Sequence, residues 1–253
     1  MRSIWGSLLL VLFVVACSKE DPAGRPIDVA AWVKKNGAEA EAFRGKLDAA
    51  VTLVKDLPAT SVHVADPEVP FMFERDTSPA WENAVLVSGV YLRGLPEYGR
   101  DKGKTVDSGD QTISVNYWGM FGLALEDLFA LLDGGKPEFT TTQGGGEILM
   151  KQIRAVRYVL IAHEVSYKPG EIDTENKTFT AGTYEGVVHV VDLKGPKHLG
   201  SVAFSAKNTG KFESYSGSEK FMLRADLESE SMKAFRAEWP KVFPKHPLPT
   251  PRE

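Results

Sequence analysis

Residues 180–193, TAGTYEGVVHVVDL, form the segment that decides the fold class of this chain. The segment is long, rich in β-branched residues and alternating, as expected for a strand with one face in a core. Similar segments lie on both sides of it, at 158–167 and 199–206. Only short turn-forming stretches separate them, which favours antiparallel neighbours, because parallel pairing needs a crossover of a dozen or more residues. The sequence therefore predicts an antiparallel β-sheet in the C-terminal half.

A fourth strand is predicted at 221–227, where apolar and polar residues alternate. Because successive side chains of a strand point to opposite faces, one set should be buried and the other more exposed. The buried set comprises Phe221, Leu223, Ala225 and Leu227, and the exposed set comprises Met222, Arg224 and Asp226. With this strand, the sheet would be built mainly from residues 156–227.

Helices are predicted on both sides of these strands in the sequence. Asp28 can cap a helix that begins at Val29, and Phe43 and Leu47 begin the apolar stripe of its strongest part, 38–57. Two further amphipathic segments lie at 118–133 and at 228–239, the second ending at Pro240. Helices that flank an antiparallel sheet define an α+β fold.

The first half of the chain and the joint between the halves are less regular. Short strands are predicted near 62–64, 84–92 and 112–117, and residues 135–146 have the composition of a flexible linker. Gly144-Gly145-Gly146 could cradle a phosphate at a helix start, but no Lys-Ser or Lys-Thr pair follows, and Glu147 adds a negative charge. The sequence thus predicts a helical region with short strands at 28–134, and a sheet with a C-terminal helix at 147–243. A Pro-rich tail is predicted at 244–253.

The composition excludes some classes of function. Hydrophobic residues make up 43% of the chain and charged residues 25%, as in ordinary globular proteins, so a packed core is expected. The formal net charge is −4, and the sequence contains no strongly basic block. Nucleic-acid binding requires clustered Lys and Arg, so no nucleic-acid partner is expected.

The first 17 residues have the layout of an export signal. Arg2 gives a positive start, residues 8–15 are an unbroken apolar run, and a small residue precedes Cys17. The run is too short to span a bilayer, which needs roughly 20 residues. Val14-Val15-Ala16-Cys17 resembles the lipobox of bacterial lipoproteins, and Cys17 is the single cysteine in the chain.

The resemblance implies that diacylglycerol is attached to Cys17 and that a peptidase cleaves between Ala16 and Cys17. Residues 1–16 would then be removed as a signal peptide, and residues 17–27 would tether the domain to a membrane. In many such proteins the new amino group is acylated too, so palmitate incorporation is expected. Ser18, rather than Asp, follows the cysteine, which favours the outer membrane over the inner membrane. The resemblance thus implies a lipid-anchored protein of the cell envelope, in or facing the periplasm.

Two histidines are the candidates for a metal site. By alternation, His163 shares a strand face with Val159 and Ile161, and His189 shares one with Val191. If the two strands are neighbours, the imidazoles can approach each other, but zinc needs a third or fourth ligand. The favoured interpretation is two partly buried histidines with ordinary hydrogen bonds, and no metal or cofactor is expected.

No catalytic motif is evident in the sequence. A serine hydrolase often places its nucleophile in a Gly-x-Ser-x-Gly elbow, which this chain lacks, and Ser216 and Ser218 lie in a turn-rich stretch. Acidic pairs such as Glu126-Asp127 fit solvated helix faces better than a catalytic carboxylate pair. The leading hypothesis is a non-enzymatic, lipid-anchored envelope protein that binds an unknown partner or has a structural role. A lipid-anchored protein that binds a small molecule or lipid is the alternative, and a periplasmic hydrolase is the third.

Overall fold

The computed structural model describes residues 24–72, 83–88, 125–137, 141–173, 178–209 and 219–248. The predicted signal peptide, the lipobox with Cys17 and the predicted strand 112–117 lie outside these residues. Ser216 and Ser218 of the turn-rich stretch also lie outside them.

Four helices and seven strands lie in this part of the chain. The helices are α1 (Val29–Val54), α2 (Leu125–Leu132), α3 (Gln143–Ala155) and α4 (Glu219–Val242). The strands are β1 (Val62–His63), β2 (Ala84–Ser88), β3 (Tyr158–Lys168), β4 (Glu171–Asp173), β5 (Thr178–Thr180), β6 (Thr183–Asp192) and β7 (Lys197–Lys207). The three segments from which the sheet was predicted correspond to β3, to β5 with β6, and to β7.

Five of these strands form one sheet in the order β1-β7-β6-β3-β2. Neighbours from β1 to β3 are antiparallel, with Leu160 opposite Val190 and Val190 opposite Gly200. β2 instead pairs parallel to β3, with Ala84 opposite Tyr158. The predicted α+β class is confirmed, but the sheet is mixed, because β2 joins it from the N-terminal half through a long connection.

Two apolar clusters fill the two faces of this sheet. Val159, Ile161 and Val191 belong to a cluster with α1, α2 and α3, whereas Leu160 and Val190 belong to a cluster with α4. This division follows from strand geometry, since neighbouring side chains point to opposite faces. The sheet is therefore the middle of three layers. We call the side covered by α1 the front face and the side covered by α4 the back face.

Helix α4 replaces the predicted fourth strand. Residues 221–227 continue without interruption into the predicted helix 228–239, and α4 ends at Val242. A row of buried residues recurs every four positions along it: Leu223, Leu227, Ser231, Phe235 and Trp239. Ala225, which was predicted to be buried beside Leu223, is partly exposed. The prediction of a strand at 221–227 is wrong, because residues four apart share a side in a strand and in a helix alike.

The glycine run 144–146 forms the first turn of α3 and is not a linker. Thr142 caps the helix, since its Oγ1 accepts a hydrogen bond from the Gly145 amide at 3.1 Å. A Cβ at Gly146 would lie 2.8 Å from Ile27 Cδ1 and 2.9 Å from the Trp32 ring. The absence of a side chain at Gly146 lets the indole pack directly on α3, where Trp32 Nε1 donates to the Gly146 carbonyl at 3.4 Å.

The chain before α1 is fixed to the start of α3. The Gln143 amide donates to the Arg25 carbonyl, and the Ile27 amide donates to the Thr141 carbonyl, both at 2.9 Å. A bridge between Pro26 and Thr142 lies between these two hydrogen bonds. Residues 25–27, which the sequence assigned to a tether, are therefore part of the folded domain.

Helices α1 and α3 lie side by side with their N-termini at the same end. Asp28 caps α1 as predicted, with its Oδ1 accepting from the Ala31 amide at 3.0 Å. Lys35 Nζ lies 3.8 Å from Glu147 Oε1, and the next pair along both helices, Arg154 with Glu39, is 2.7 Å apart. Because later residues of α1 meet later residues of α3, the two helices are parallel. We call residues 24–35 with 141–151 the shared N-terminal end.

The first residues of the predicted Pro-rich tail pack against the domain. The His246 carbonyl accepts a hydrogen bond from Trp239 Nε1, and Leu248 lies against the back-face cluster. Residues 249–253 lie outside the described part of the chain. Among the helices that the structure describes, none is long and apolar enough to cross a membrane.

Candidate functional site

The two histidines singled out from the sequence meet on the front face of the sheet. β3 and β6 are neighbours, and their register places His163 opposite Val187 and Ile161 opposite His189. The centroids of the two imidazole rings lie 5.3 Å apart. Strand alternation alone therefore brings these two side chains together once β3 and β6 pair.

A third histidine and a serine, which sequence reasoning missed, complete the group. The His198 ring centroid lies 5.8 Å from that of His189. Ser201 Oγ lies 2.7 Å from His189 Nδ1 and 2.8 Å from His198 Nε2. We call His163, His189, His198 and Ser201 the histidine cluster.

A β-bulge explains why His198 and Ser201 share a face. Val190 lies opposite Gly200 but Val191 lies opposite His198, so one extra residue of β7 is inserted at this point. Strict alternation would send His198 and Ser201, three residues apart, to opposite faces. The one available signal in the sequence is Gly200, because an isolated glycine inside a strand pattern indicates a bulge or a close backbone approach.

Burial favours the neutral forms of His189 and His198. His189 and Ser201 are each 1% exposed, and His163 is 9% exposed. Burial, with smaller effects from His163 and His198, lowers the pKa of His189 to about 4. Burial also lowers the pKa of His198, against a hydrogen bond with the Gly200 backbone that raises it.

The Ser201 hydroxyl connects two neutral imidazoles. A hydroxyl has a single proton to donate, and its oxygen accepts from other donors. If Ser201 donates to one ring, it accepts the N–H of the other, so the tautomers of His189 and His198 are coupled through it. The hydrogen bond between His189 and Ser201 thus links β6 to β7 in addition to the strand ladder, whereas that between His198 and Ser201 lies within β7.

The geometry of the cluster does not match a metal centre. Across the described ranges, no three His, Cys, Asp or Glu side chains are arranged to hold a metal ion. The nearest nitrogens of His189 and His198 both bind Ser201 Oγ at hydrogen-bond distance, whereas zinc needs nitrogen ligands at about 2.0–2.1 Å. The serine oxygen therefore lies where two of the ligands would have to converge.

The Ser201–His189 distance is also that of a nucleophile and its general base. A nucleophile must be reached by its substrate, however, and Ser201 is 1% exposed in the middle of β7. It lies opposite His189 on one side and Val62 of β1 on the other. The arrangement is therefore that of a buried hydrogen-bond network rather than an accessible catalytic pair.

A second polar group lies at the surface, just after β1. Asp66 Oδ2 lies 3.0 Å from Lys245 Nζ, and its Oδ1 lies 3.1 Å from His63 Nε2. These two hydrogen bonds, that of Lys245 first, lower the pKa of Asp66. The group ties the chain that follows β1 to the chain that follows α4.

Exposed apolar side chains are concentrated in the chain that contains β1. Between 39% and 53% of each of these four side chains is exposed: Val62, Val64, Val69 and Met72. β1 is one of the two edge strands of the described sheet, and it pairs with β7 over two residues only. We call residues 62–72 the edge segment.

No family model matches the chain, and no curated protein matches it. Among solved structures, it is similar to the hypothetical protein CT253 from Chlamydia trachomatis, at 15% sequence identity and a TM-score of 0.23. The match covers 38% of this chain and 57% of that chain, so this chain spans little more than half of the length of CT253.

Proposed function

We propose that this chain is a lipid-anchored protein of the bacterial cell envelope that binds a protein partner and has no catalytic role. The observation that carries the proposal is Val14-Val15-Ala16-Cys17, which ends an apolar run and contains the single cysteine. A lone thiol in an oxidising compartment has no internal disulfide partner, and lipidation accounts for both its presence and its position. Ser18 supports anchoring in the outer membrane.

The start of the folded region supports a short tether. Seven residues separate Cys17 from Arg25, which is the first of the described residues that is hydrogen-bonded to α3. Fully extended, this stretch spans at most about 28 Å. The domain would therefore stay close to the membrane that holds the lipid.

The packing supports a role for the surface of the protein rather than for its interior. Large side chains, among them Leu47, Phe235 and Trp239, are fully buried on the two faces of the sheet. The histidine cluster is buried as well, whereas the edge segment exposes four large apolar side chains. Exposed apolar groups on a sheet edge favour contacts with another protein. We assign the partner contact to the edge segment.

Replacing the cysteine tests the anchor. We expect Cys17→Ala to abolish incorporation of labelled palmitate and to leave the precursor uncleaved, because the thiol is the site of the first lipid. Ser18→Ala is the matched control, and it should be labelled and cleaved normally. Normal labelling and cleavage of Cys17→Ala would contradict the proposed anchor.

Photo-crosslinking in intact cells tests the partner contact. A crosslinking residue at Val64 should give one discrete product, and adding Val62→Asp should remove it, because a carboxylate opposes an apolar contact. A crosslinking residue at Ala42, which is exposed on α1, is the control and should not give this product. The same product from both positions, or its persistence with Val62→Asp, would contradict the assignment to the edge segment.

A further inference from the structure

The structure shows at which end of the domain the predicted tether begins. Residues 25–27 pair with residues 141–143, directly before the first turns of α1 and α3. The opposite end of α1 lies about 39 Å from this point, because a helix of 26 residues rises 1.5 Å per residue. A tether of at most about 28 Å therefore begins at the shared N-terminal end and reaches the membrane from there.

The charge of this end differs from that of the whole chain. The chain has a formal net charge of −4. The shared N-terminal end carries four basic residues, Arg25, Lys34, Lys35 and Lys151, against two acidic residues, Asp28 and Glu147. The pair of Lys35 and Glu147 is widely spaced and largely exposed, so it neutralises little of this charge. Two parallel helix N-termini add partial positive charge at the same end.

An exposed apolar side chain lies beside one of these basic residues, Lys151. Ile148 of α3 is 46% exposed. Ile148 and Lys151 are three residues apart and therefore lie on the same side of the helix. Basic residues beside an exposed apolar side chain are typical of surfaces that contact lipid headgroups.

We infer that the shared N-terminal end rests on the bilayer that holds the lipid anchor, with Lys34 and Lys151 at anionic phospholipid headgroups. This inference rests on the anchor proposed above. We assign a membrane surface to this end because the tether leaves the domain here and is too short to hold the domain far from the bilayer. Glu68 of the edge segment pairs with Arg157, two residues after the last residue of α3. The edge segment therefore lies near the opposite end of α3 and would remain free for a protein partner.

Site-specific fluorescence on the full lipidated protein tests this orientation. The protein is reconstituted in vesicles of phosphatidylethanolamine and phosphatidylglycerol that carry a nitroxide on the headgroup. Because the sulfur of Cys17 carries the lipid, an introduced cysteine is the single thiol available for a fluorophore. Ile148→Cys reports on the shared N-terminal end, and Leu53→Cys, also exposed but near the far end of α1, is the matched control.

We expect the headgroup nitroxide to quench the fluorophore at position 148 at least threefold more than the fluorophore at position 53. The double variant Lys34→Glu with Lys151→Glu should abolish this difference, as should 1 M salt, where the Debye length is about 3 Å. Lys55→Glu is the control for charge reversal, because Lys55 lies just beyond the far end of α1 and is exposed, and it should leave the difference unchanged.

The two proposals fail in different ways. Equal quenching at positions 148 and 53, in protein whose mass shows the lipid on Cys17, overturns the orientation and leaves the anchor intact. A mass without lipid on Cys17 overturns the anchor and the orientation with it. If the difference in quenching between positions 148 and 53 persists both in the double variant and in 1 M salt, anionic headgroups have no role.

Discussion

At Gly146, one hydrogen in place of a methyl group determines how closely α1 meets α3. A Cβ there would lie 2.9 Å from the rigid indole of Trp32. We therefore expect Gly146→Ala to lower the free energy of unfolding by about 1–3 kcal/mol, since overpacking forces the ring or the backbone to shift. Urea denaturation followed by circular dichroism measures this change.

Gly45 provides the matched control for this substitution. It is exposed in the interior of α1, and a Cβ there would have no neighbour within 4 Å. Gly45→Ala should raise the free energy of unfolding by up to about 1 kcal/mol, because alanine has the higher helix propensity. A stabilising effect of both substitutions would contradict the packing of Trp32 on Gly146.

The histidine cluster makes the stability of the protein depend on pH. An unfolded histidine has a pKa near 6.5, whereas that of folded His189 is about 4, so between these values the unfolded state binds more protons. The contribution of His189 is complete above pH 6.5. It is lost as the pH falls towards 4, and the total loss in free energy of unfolding is at most about 3 kcal/mol. Glu39 and Glu68, whose pKa values are lowered, lose their contributions at lower pH.

Urea denaturation at several pH values between 7 and 5 measures the effect of His189. In that range the free energy of unfolding should fall with pH in the unmodified protein. His189→Gln removes the titrating ring, so its pH dependence should be shallower even if the variant is less stable at pH 7. An equally steep dependence in the variant would exclude His189 as the cause.

At the scale of elements, α4 shows how a short window of sequence misleads. Leu223 and Leu227 are four apart, which is close to one helical turn and is also an even number, so a helix and a strand both place them on one side. Ala225 between them is small and apolar and fits either structure. The residues that separate the two cases lie beyond the window, where Ser229 is polar and Lys233 is charged at positions that a continued strand would bury.

Proline at position 229 distinguishes one continuous helix from a strand followed by a helix. In the arrangement predicted from the sequence, residue 229 would lie in the first turn of a helix, where proline is tolerated. In the structure it lies in the interior of α4, so Ser229→Pro should cost about 3 kcal/mol or more, through a lost hydrogen bond and a steric clash.

The control for this proline is Ser229→Ala, which should stay within about 0.5 kcal/mol because the side chain is exposed. Thermal unfolding of the two variants measures both effects. Nearly equal stability would mean that α4 is interrupted near residue 229.

The elements that the sequence predicts well are those defined by local pattern. β3, β6 and β7 follow from alternation and short turns, and α1 follows from its cap and apolar stripe. The places of β1 and β2 in the sheet cannot be predicted from local pattern. Val62 pairs with Ser201 and Ala84 pairs with Tyr158, and both partners are far away in the sequence. The approach of His163 and His189 also follows from strand alternation. The position of His198 in the cluster could not be predicted in this way, because a bulge in β7 changes the face to which its side chain points.

At the scale of the whole molecule, the folded region begins earlier than the sequence suggests. A chain that starts at Asp28 keeps all of α1 but loses the two hydrogen bonds of residues 25–27 and the contact of Ile27 with α3. A chain that starts at Gly24 keeps them. The longer chain should be more stable by about 1–3 kcal/mol, from the hydrogen bonds and the partly buried isoleucine together.

Differential scanning calorimetry of these two chains measures the difference. Both should unfold in one cooperative transition without lipid, and a chelator should not change the melting temperature of either. Equal melting temperatures for the two lengths would mean that residues 25–27 do not contribute to the fold. A large decrease in melting temperature with chelator would indicate a bound metal that the histidine cluster does not account for.

The order of strands in the sheet sets an order of folding during synthesis. β6 and β7 follow each other closely and can pair as soon as both are made. The residues of β3 and β6 in the cluster that contains α1, Val159, Ile161 and Val191, come about 105–137 residues after the end of α1. At roughly 5–20 residues per second, α1 is complete about 5–25 s before these strands exist. During that interval Phe43, Leu47 and Val54 have no sheet to pack against. We therefore expect α1 to be a segment of the nascent chain that molecular chaperones bind.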